Sequence, residues 1–224
     1  IEYEIIVVDN NSTIKLDENE LNQYNLKLLH LKKNVGYASA LNYGIEKSVG
    51  KYLLTINPDI LFKEDSIERL YKYYQSNKIG VIGCKVLNFN GTYQLSSRRR
   101  FPSFKHLFCK LFKINKYYNY IDCDIDMIHE VDSISGCCML FSKDIYDKVG
   151  GFDEKFFLYF EDTDFCLRIK ELGSSIIYYP KSEIVHFKYG SRNFYNYFYV
   201  KYQFYKSFII FIRKYSNKYR IRAN

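Results

Sequence analysis

Tyr52-Leu53-Leu54-Thr55-Ile56-Asn57-Pro58-Asp59 is a short apolar run closed by a polar turn. Ile5-Ile6-Val7-Val8-Asp9-Asn10-Asn11-Ser12 repeats that form near the start of the chain. Both read as buried strands that deliver polar groups just past their ends, which is where open α/β sheets build ligand sites. Working outward, residues 26–31 and 80–87 read as further strands, and residues 37–48 and 64–75 have helical spacing. The second of these helices has an apolar face of Ile67, Leu70, Tyr71 and Tyr74. The rhythm breaks over residues 88–130, which hold the turn signal Asn90-Gly91 and the run Arg98-Arg99-Arg100. A short helix over residues 104–112 is expected in this excursion. It resumes with a strand at 137–141, helices at 144–149 and 161–172, a strand at 175–179 and a long helix at 193–214. Such alternation predicts an α/β fold with a mostly parallel sheet flanked by helices.

The chain has 224 residues, enough for one domain with a sizeable core. Its 47% hydrophobic content excludes a disordered chain. No apolar run reaches the ~18 residues that a membrane-spanning helix needs. The six cysteines form no C-x-x-C pair or framework, and read as reduced, mostly buried thiols of a cytoplasmic protein. The net charge of +8 is uneven. Residues 192–224 carry eight basic groups and no acid, whereas residues 1–191 carry 25 of each sign. That asymmetry points to an anionic partner, lipid or nucleic acid.

The stretch Phe156-Phe157-Leu158-Tyr159-Phe160-Glu161-Asp162-Thr163-Asp164-Phe165-Cys166-Leu167-Arg168 sets three carboxylates within four residues behind an aromatic run. Charges that close need a cation, a substrate hydroxyl or a raised pKa to coexist beside apolar neighbours. N-terminal acidic bias on a helix also accounts for three acids. Asp164 and Arg168 lie at i, i+4 and can pair.

These motifs fall in a family order. Val7-Val8-Asp9-Asn10, Asn34-Val35-Gly36-Tyr37-Ala38 through Asn42-Tyr43-Gly44, and Asn57-Pro58-Asp59 are followed by Ser135-Gly136, Gly150-Gly151-Phe152-Asp153, the Glu161 to Asp164 segment, and His186 before Gly190-Ser191. Over residues 3–191 the chain resembles glycosyltransferase family 2, in its rhamnosyltransferase-like branch, which implies a GT-A fold. The family begins with a strand and helix ahead of the Val-Val-Asp strand, so an N-terminal strand and helix are expected to be missing here.

The resemblance implies an inverting transferase that moves a sugar from a nucleotide-diphospho-sugar donor. dTDP-rhamnose is the first candidate, and a UDP-hexose or UDP-N-acetylhexosamine the alternative. The implied acceptor is a hydroxyl of a cell-surface polysaccharide or lipid-linked glycan. Asp162 takes the position that removes the acceptor proton, with Glu161 and Asp164 beside it. Asp59 and His186 would hold Mg²⁺ or Mn²⁺ against the diphosphate; as isolated residues they read equally as a turn former and a strand-end histidine. Asp9, Asn10, Asn34, Gly36, Asn42, Asn57, Gly136 and Ser191 would line the donor pocket, Gly136 by letting backbone approach the sugar. Arg98 to Arg100 hold an acceptor phosphate or form a solvated basic turn. Residues 1–191 form the catalytic domain and 192–224 a basic aromatic tail. The tail either docks on the inner face of the cell membrane or packs on its own domain. The reading from another class is a binder of single-stranded nucleic acid, which leaves the acidic motifs unexplained.

Overall fold

The computed structural model describes residues 2–14, 16, 21, 23–102, 119–187 and 194–219. The helix expected at 104–112 and the candidate residue Ser191 lie outside them. The described elements are β1 (Ile5–Asp9), β2 (Leu26–His30), α1 (Tyr37–Glu46), β3 (Tyr52–Ile56), β4 (Ile60–Phe62), α2 (Ser66–Gln75) and β5 (Val81–Asn88). After them come β6 (Arg98–Arg99), β7 (His129–Glu130), β8 (Ser133–Ile134), β9 (Cys138–Ser142), α3 (Lys143–Val149), α4 (Glu161–Glu171), β10 (Ile176–His186) and α5 (Phe194–Tyr219).

The α/β architecture stands, but the sheet is mixed rather than mostly parallel. Its strand order is β3-β9-β5-β10-β4, with β7 also on β10. β5 and β10 pair parallel, as do β1 and β2 in their own ribbon. β9 pairs antiparallel with both β3 and β5, and β4 antiparallel with β10. A strand–helix–strand count sees β3-α2-β5 as a crossover but cannot see that a later strand enters between its two ends.

Period-two alternation along the central strands separates two apolar cores. On β9, Cys138 and Leu140 face α2, joining Leu70 and Tyr74, while Met139 and Phe141 face α4, joining Phe165 and Ile169. β10 alternates the same way, with Ile176 and Tyr178 on the α4 side. α3 begins at a Ser142 N-cap whose Oγ accepts from the Ile145 N–H, and ends at Gly150 in the left-handed region.

Two irregularities place functional side chains. β10 runs past the expected end at Tyr179 because a bulge at Pro180–Ser182 absorbs the proline and restores pairing from Glu183 to His186. Ser66 fixes the bulge: its Oγ accepts from the Glu183 N–H, and its carbonyl accepts from the Ser182 hydroxyl. The second irregularity precedes α4, where Tyr159 and Phe160 are consecutive left-handed residues at φ 68° and 69°.

α5 packs on the domain. Phe208, Phe211, Ile212 and Tyr215 belong to the same core as Phe165 and Phe156, each contributing roughly 1.5–3 kcal/mol of burial. Phe198, Tyr202, Tyr205 and Ile209 form an exposed stripe on its outer side. No helix among the described residues is long and apolar enough to cross a membrane.

Candidate functional site

At the end of β1 the residues expected to meet the nucleotide come together. Asn10 Oδ1 accepts from the Val35 N–H at 2.9 Å, and its amide donates to Asn34 Oδ1 and to the Gly36 carbonyl. Asn34 Oδ1 also accepts from the Gly36 N–H. Gly36 sits at φ 89°, and a Cβ there would lie 2.7 Å from the Phe157 carbonyl oxygen, so only glycine fits. Asp9 is buried; its carboxylate accepts from the Ser12 N–H and lies 3.2 Å from His30 Nδ1. His30, at the end of the neighbouring strand, was not singled out from sequence.

The next layer gathers at the ends of β3 and β9. The Tyr37 hydroxyl lies 2.9 Å from Asn57 Oδ1 and 3.1 Å from the Gly136 carbonyl, and its one proton serves both acceptors. Burial first, then the charge of Glu161, raise the Tyr37 phenol well above its ordinary value. It stays a donor at any working pH. The Asn57 N–H donates to the Cys137 carbonyl. Gly136 lies against Asp162: its N–H donates to Asp162 Oδ2 at 2.8 Å, and a Cβ there would stand 3.3 Å from the Asp162 Cβ. Its missing side chain makes room for the carboxylate.

The three acids of α4 separate. Asp164 is fully buried and accepts from Arg168 Nε, Lys214 Nζ and the Tyr215 hydroxyl at 2.6–2.8 Å. It ties α4 to α5, and it pairs with Arg168 as their i, i+4 spacing suggested. Asp162 is engaged on both oxygens. Oδ2 accepts from Arg99 at 2.6 Å and from Gly136, and Oδ1 from the Thr163 N–H and hydroxyl. Glu161 is equally buried, yet its Oε2 has no partner among the described residues. Burial, reinforced by the charge of Asp162, pushes its pKa up to about 8.

Arg99 is a site residue that the sequence does not distinguish from its neighbours in one basic run. The three arginines diverge. Arg98 is buried against Tyr178 and donates to the Asp124 and Cys123 carbonyls. Arg99 pairs with Asp162, and Arg100 pairs with Asp122. A solvated basic turn is therefore not what they form. Asn42 is also corrected. Its amide donates to the Phe152 carbonyl and Glu154, and its oxygen accepts from Tyr146 and the Phe152 N–H. Every polar atom of Asn42 is spent on holding α1 to the turn after α3, leaving nothing for a ligand.

Asp59 and His186 meet because β4 and β10 pair antiparallel, with His186 opposite Ile60. Their side chains approach to 3.2 Å, and the Phe187 N–H donates to the Asp59 carbonyl. His186 Nδ1 is buried without a partner among the described residues. One carboxylate and one imidazole, with a ring nitrogen left over, suit a divalent ion that takes its other ligands from a bound diphosphate. No group of three His, Cys, Asp or Glu side chains arranged to hold an ion occurs among the described residues.

The model of the family described as "Glycosyl transferase family 2" matches residues 1–150. A second model, described as "N-terminal domain of galactosyltransferase", matches residues 123–190. Among curated proteins, the chain is 27% identical over 182 residues to a low-salt glycan biosynthesis hexosyltransferase of Haloferax volcanii, covering 77% of this chain and 55% of that protein. It is 27% identical over 204 residues to an N-acetylglucosaminyl-diphospho-decaprenol L-rhamnosyltransferase of Mycobacterium tuberculosis, covering 82% of this chain and 66% of that protein. Among solved structures, a Pyrobaculum calidifontis mannosyltransferase in complex with GDP-Man and Mn²⁺ aligns with a TM-score of 0.58 at 17% identity, covering 87% of this chain and 50% of that one. GalNAc-T7 with UDP, GalNAc and Mn²⁺ aligns with a TM-score of 0.60 at 13% identity, covering 82% and 37%. These structural likenesses establish the GT-A fold, and with the family match over two thirds of its length the chain belongs to glycosyltransferase family 2.

Proposed function

We propose that this chain carries the centre of an inverting glycosyltransferase. It takes a sugar from a nucleotide-diphospho-sugar and joins it to a hydroxyl of a growing cell-surface or lipid-linked glycan. The observation that carries the reading is the meeting of Asp59 and His186 at 3.2 Å, 127 residues apart, Asp59 in the turn between β3 and β4 and His186 at the last position of β10. dTDP-rhamnose is the first donor to test, in keeping with the name of the mycobacterial relative. That name also supports a lipid-diphosphate acceptor.

Asn10, Asn34 and Gly36 offer a backbone and amide cluster for the nucleotide. Asn57 and Tyr37 lie between that cluster and the α4 carboxylates. Asp59 and His186 would hold Mg²⁺ or Mn²⁺, which when bound offsets the charge of the departing diphosphate. Asp162 receives the acceptor proton as the hydroxyl oxygen attacks the anomeric carbon from the face opposite the diphosphate, so configuration inverts. All four hydrogen-bond positions of Asp162 are filled at rest, so one donor has to yield. The Thr163 hydroxyl is suited to do so, because the Ser133 hydroxyl stands 3.4 Å away as its alternative partner.

The test is release of nucleoside diphosphate from a panel of dTDP-, UDP- and GDP-sugars, with and without chelator. Asp59→Asn should lower metal-dependent turnover by on the order of 10²-fold. Full activity in excess chelator would overturn the metal assignment, and release from a UDP-sugar alone would overturn the rhamnosyl donor.

A further inference from the structure

Glu161 and Asp162 are adjacent on α4 and equally buried, but their partners differ. Asp162 is saturated by Arg99, Gly136 and Thr163. Glu161 keeps a side-chain oxygen with no partner among the described residues, although only 5% of the residue is exposed. A buried polar atom left unpaired is destabilising, because it gives up its hydrogen bonds to water without replacement. A glutamate whose work was packing alone would be satisfied or replaceable by an apolar side chain. Its surroundings are chemical. Tyr37 comes from α1 and is linked to Asn57 and the Gly136 carbonyl. Asp162 follows it on α4, Arg99 faces it from β6, and Tyr159 belongs to the turn before it.

Of the charged groups facing Glu161, Asp162 opposes its ionisation and Arg99 favours it, and burial outweighs both. A neutral carboxyl is both donor and acceptor, whereas a carboxylate can only accept. Two neighbouring acids with such different partners can divide two tasks at one site.

We propose that Glu161 is held as a neutral carboxylic acid and donates its O–H to an oxygen of the bound sugar, beside Asp162 as the base. This rests on the reading of the site as a glycosyl-transfer centre. Glu161 gives up no proton in the reaction; the acceptor proton goes to Asp162, and Glu161 fixes the sugar against it. The donated bond selects a sugar oxygen at that place and is lost when Glu161 ionises.

Linkage gives a sign that does not depend on activity. The pKa of Glu161 is about 8 in the fold, against an ordinary 4.5. Between those values the unfolded chain has released a proton that the native chain keeps. The contribution of Glu161 to stability is therefore largest below the lower value and falls as pH rises through the window.

The experiment uses the full chain, Glu161→Gln and Glu161→Ala. Glutamate carboxyl ¹³C signals are followed by NMR from acid to alkaline pH, and transfer is measured over the same range. The expected result is one wild-type carboxyl titrating near 8 and absent from Glu161→Gln. Wild-type transfer should fall as that carboxyl ionises. Glu161→Gln, which keeps a neutral donor, should lose that alkaline fall and retain more activity than Glu161→Ala, which should lose on the order of tenfold in kcat. A Glu161 carboxyl that titrates in the ordinary range would overturn the proposal. So would a Glu161→Gln enzyme that keeps the alkaline fall. Absence of transfer from every donor, with the carboxyl still titrating near 8, would instead overturn the functional reading and with it the sugar as the recipient of the bond.

Discussion

Asp162 and Asp164 are two residues apart on one helix and answer to different neighbours. Asp162 meets Arg99 from a short strand; Asp164 meets Lys214 and Tyr215 from α5. Asp162→Asn should therefore cut transfer by roughly 10²–10⁴ while leaving donor affinity within about twofold, since a base acts in the chemical step. Asp164→Asn should instead cost about 3 kcal/mol in urea denaturation, because it strips a buried carboxylate from Arg168 and Lys214. A stable Asp164→Asn that is inactive, beside an active Asp162→Asn, would reverse the two roles. Of these contacts only Asp164 with Arg168 was legible in sequence, because i, i+4 spacing is a local geometric fact. Arg99 lies 63 residues from Asp162, and nothing in the run Arg98-Arg99-Arg100 tells which arginine turns inward.

At the scale of elements, α5 holds the turn that presents the site. Tyr159 and Phe160 are left-handed without being glycine, which costs about 1–2 kcal/mol each. The turn persists because the Ser207 hydroxyl donates to the Leu158 carbonyl at 2.8 Å and the Phe160 ring is enclosed by Phe204, Phe208 and Phe211. The Phe160 carbonyl in turn accepts from the Asp164 N–H and starts α4. Ser207→Ala should leave the chain folded, with a stability loss of about 1 kcal/mol, and lower kcat several-fold with donor affinity unchanged. An unaltered kcat would show that the turn holds its shape without α5. Helical periodicity in residues 193–214 revealed the helix but not its buried face, since aromatic side chains occupy both sides. β10 shows the complementary limit. Pro180 reads as a strand end, and only the bulge pinned by Ser66 carries the strand on to His186.

The whole molecule was legible as alternating strands and helices, which suffices for fold class and for the strand-end positions of Asp9, Asn57 and Asp59. The antiparallel entry of β9 between β3 and β5 was not, because its position is set by long-range pairing rather than by its own apolar run. Charge distribution was legible too, and the structure sharpens what it predicts. The excess of eight cations lies in residues 192–224, but Lys214 is turned inward to Asp153 and Asp164. Lys201, Lys206 and Arg213 are exposed, and the stripe of Phe198, Tyr202, Tyr205 and Ile209 stands on the side of α5 away from the core. An apolar stripe among exposed cations suits the interface of an anionic membrane, where each cation contributes ~1 kcal/mol that salt screens and the apolar part resists salt. The opposite face of α5 belongs to the core, so truncation would report on folding rather than docking, and surface substitutions are the sound test. The chain should co-sediment with vesicles containing phosphatidylglycerol, weaken as salt rises and retain a salt-resistant fraction. The double change Tyr202→Ser and Ile209→Ser should abolish most of that fraction while the chain stays folded. Equal sedimentation of both proteins would exclude the stripe as the docking surface. Tighter binding to single-stranded RNA than to vesicles at equal salt would assign the cations to nucleic acid instead.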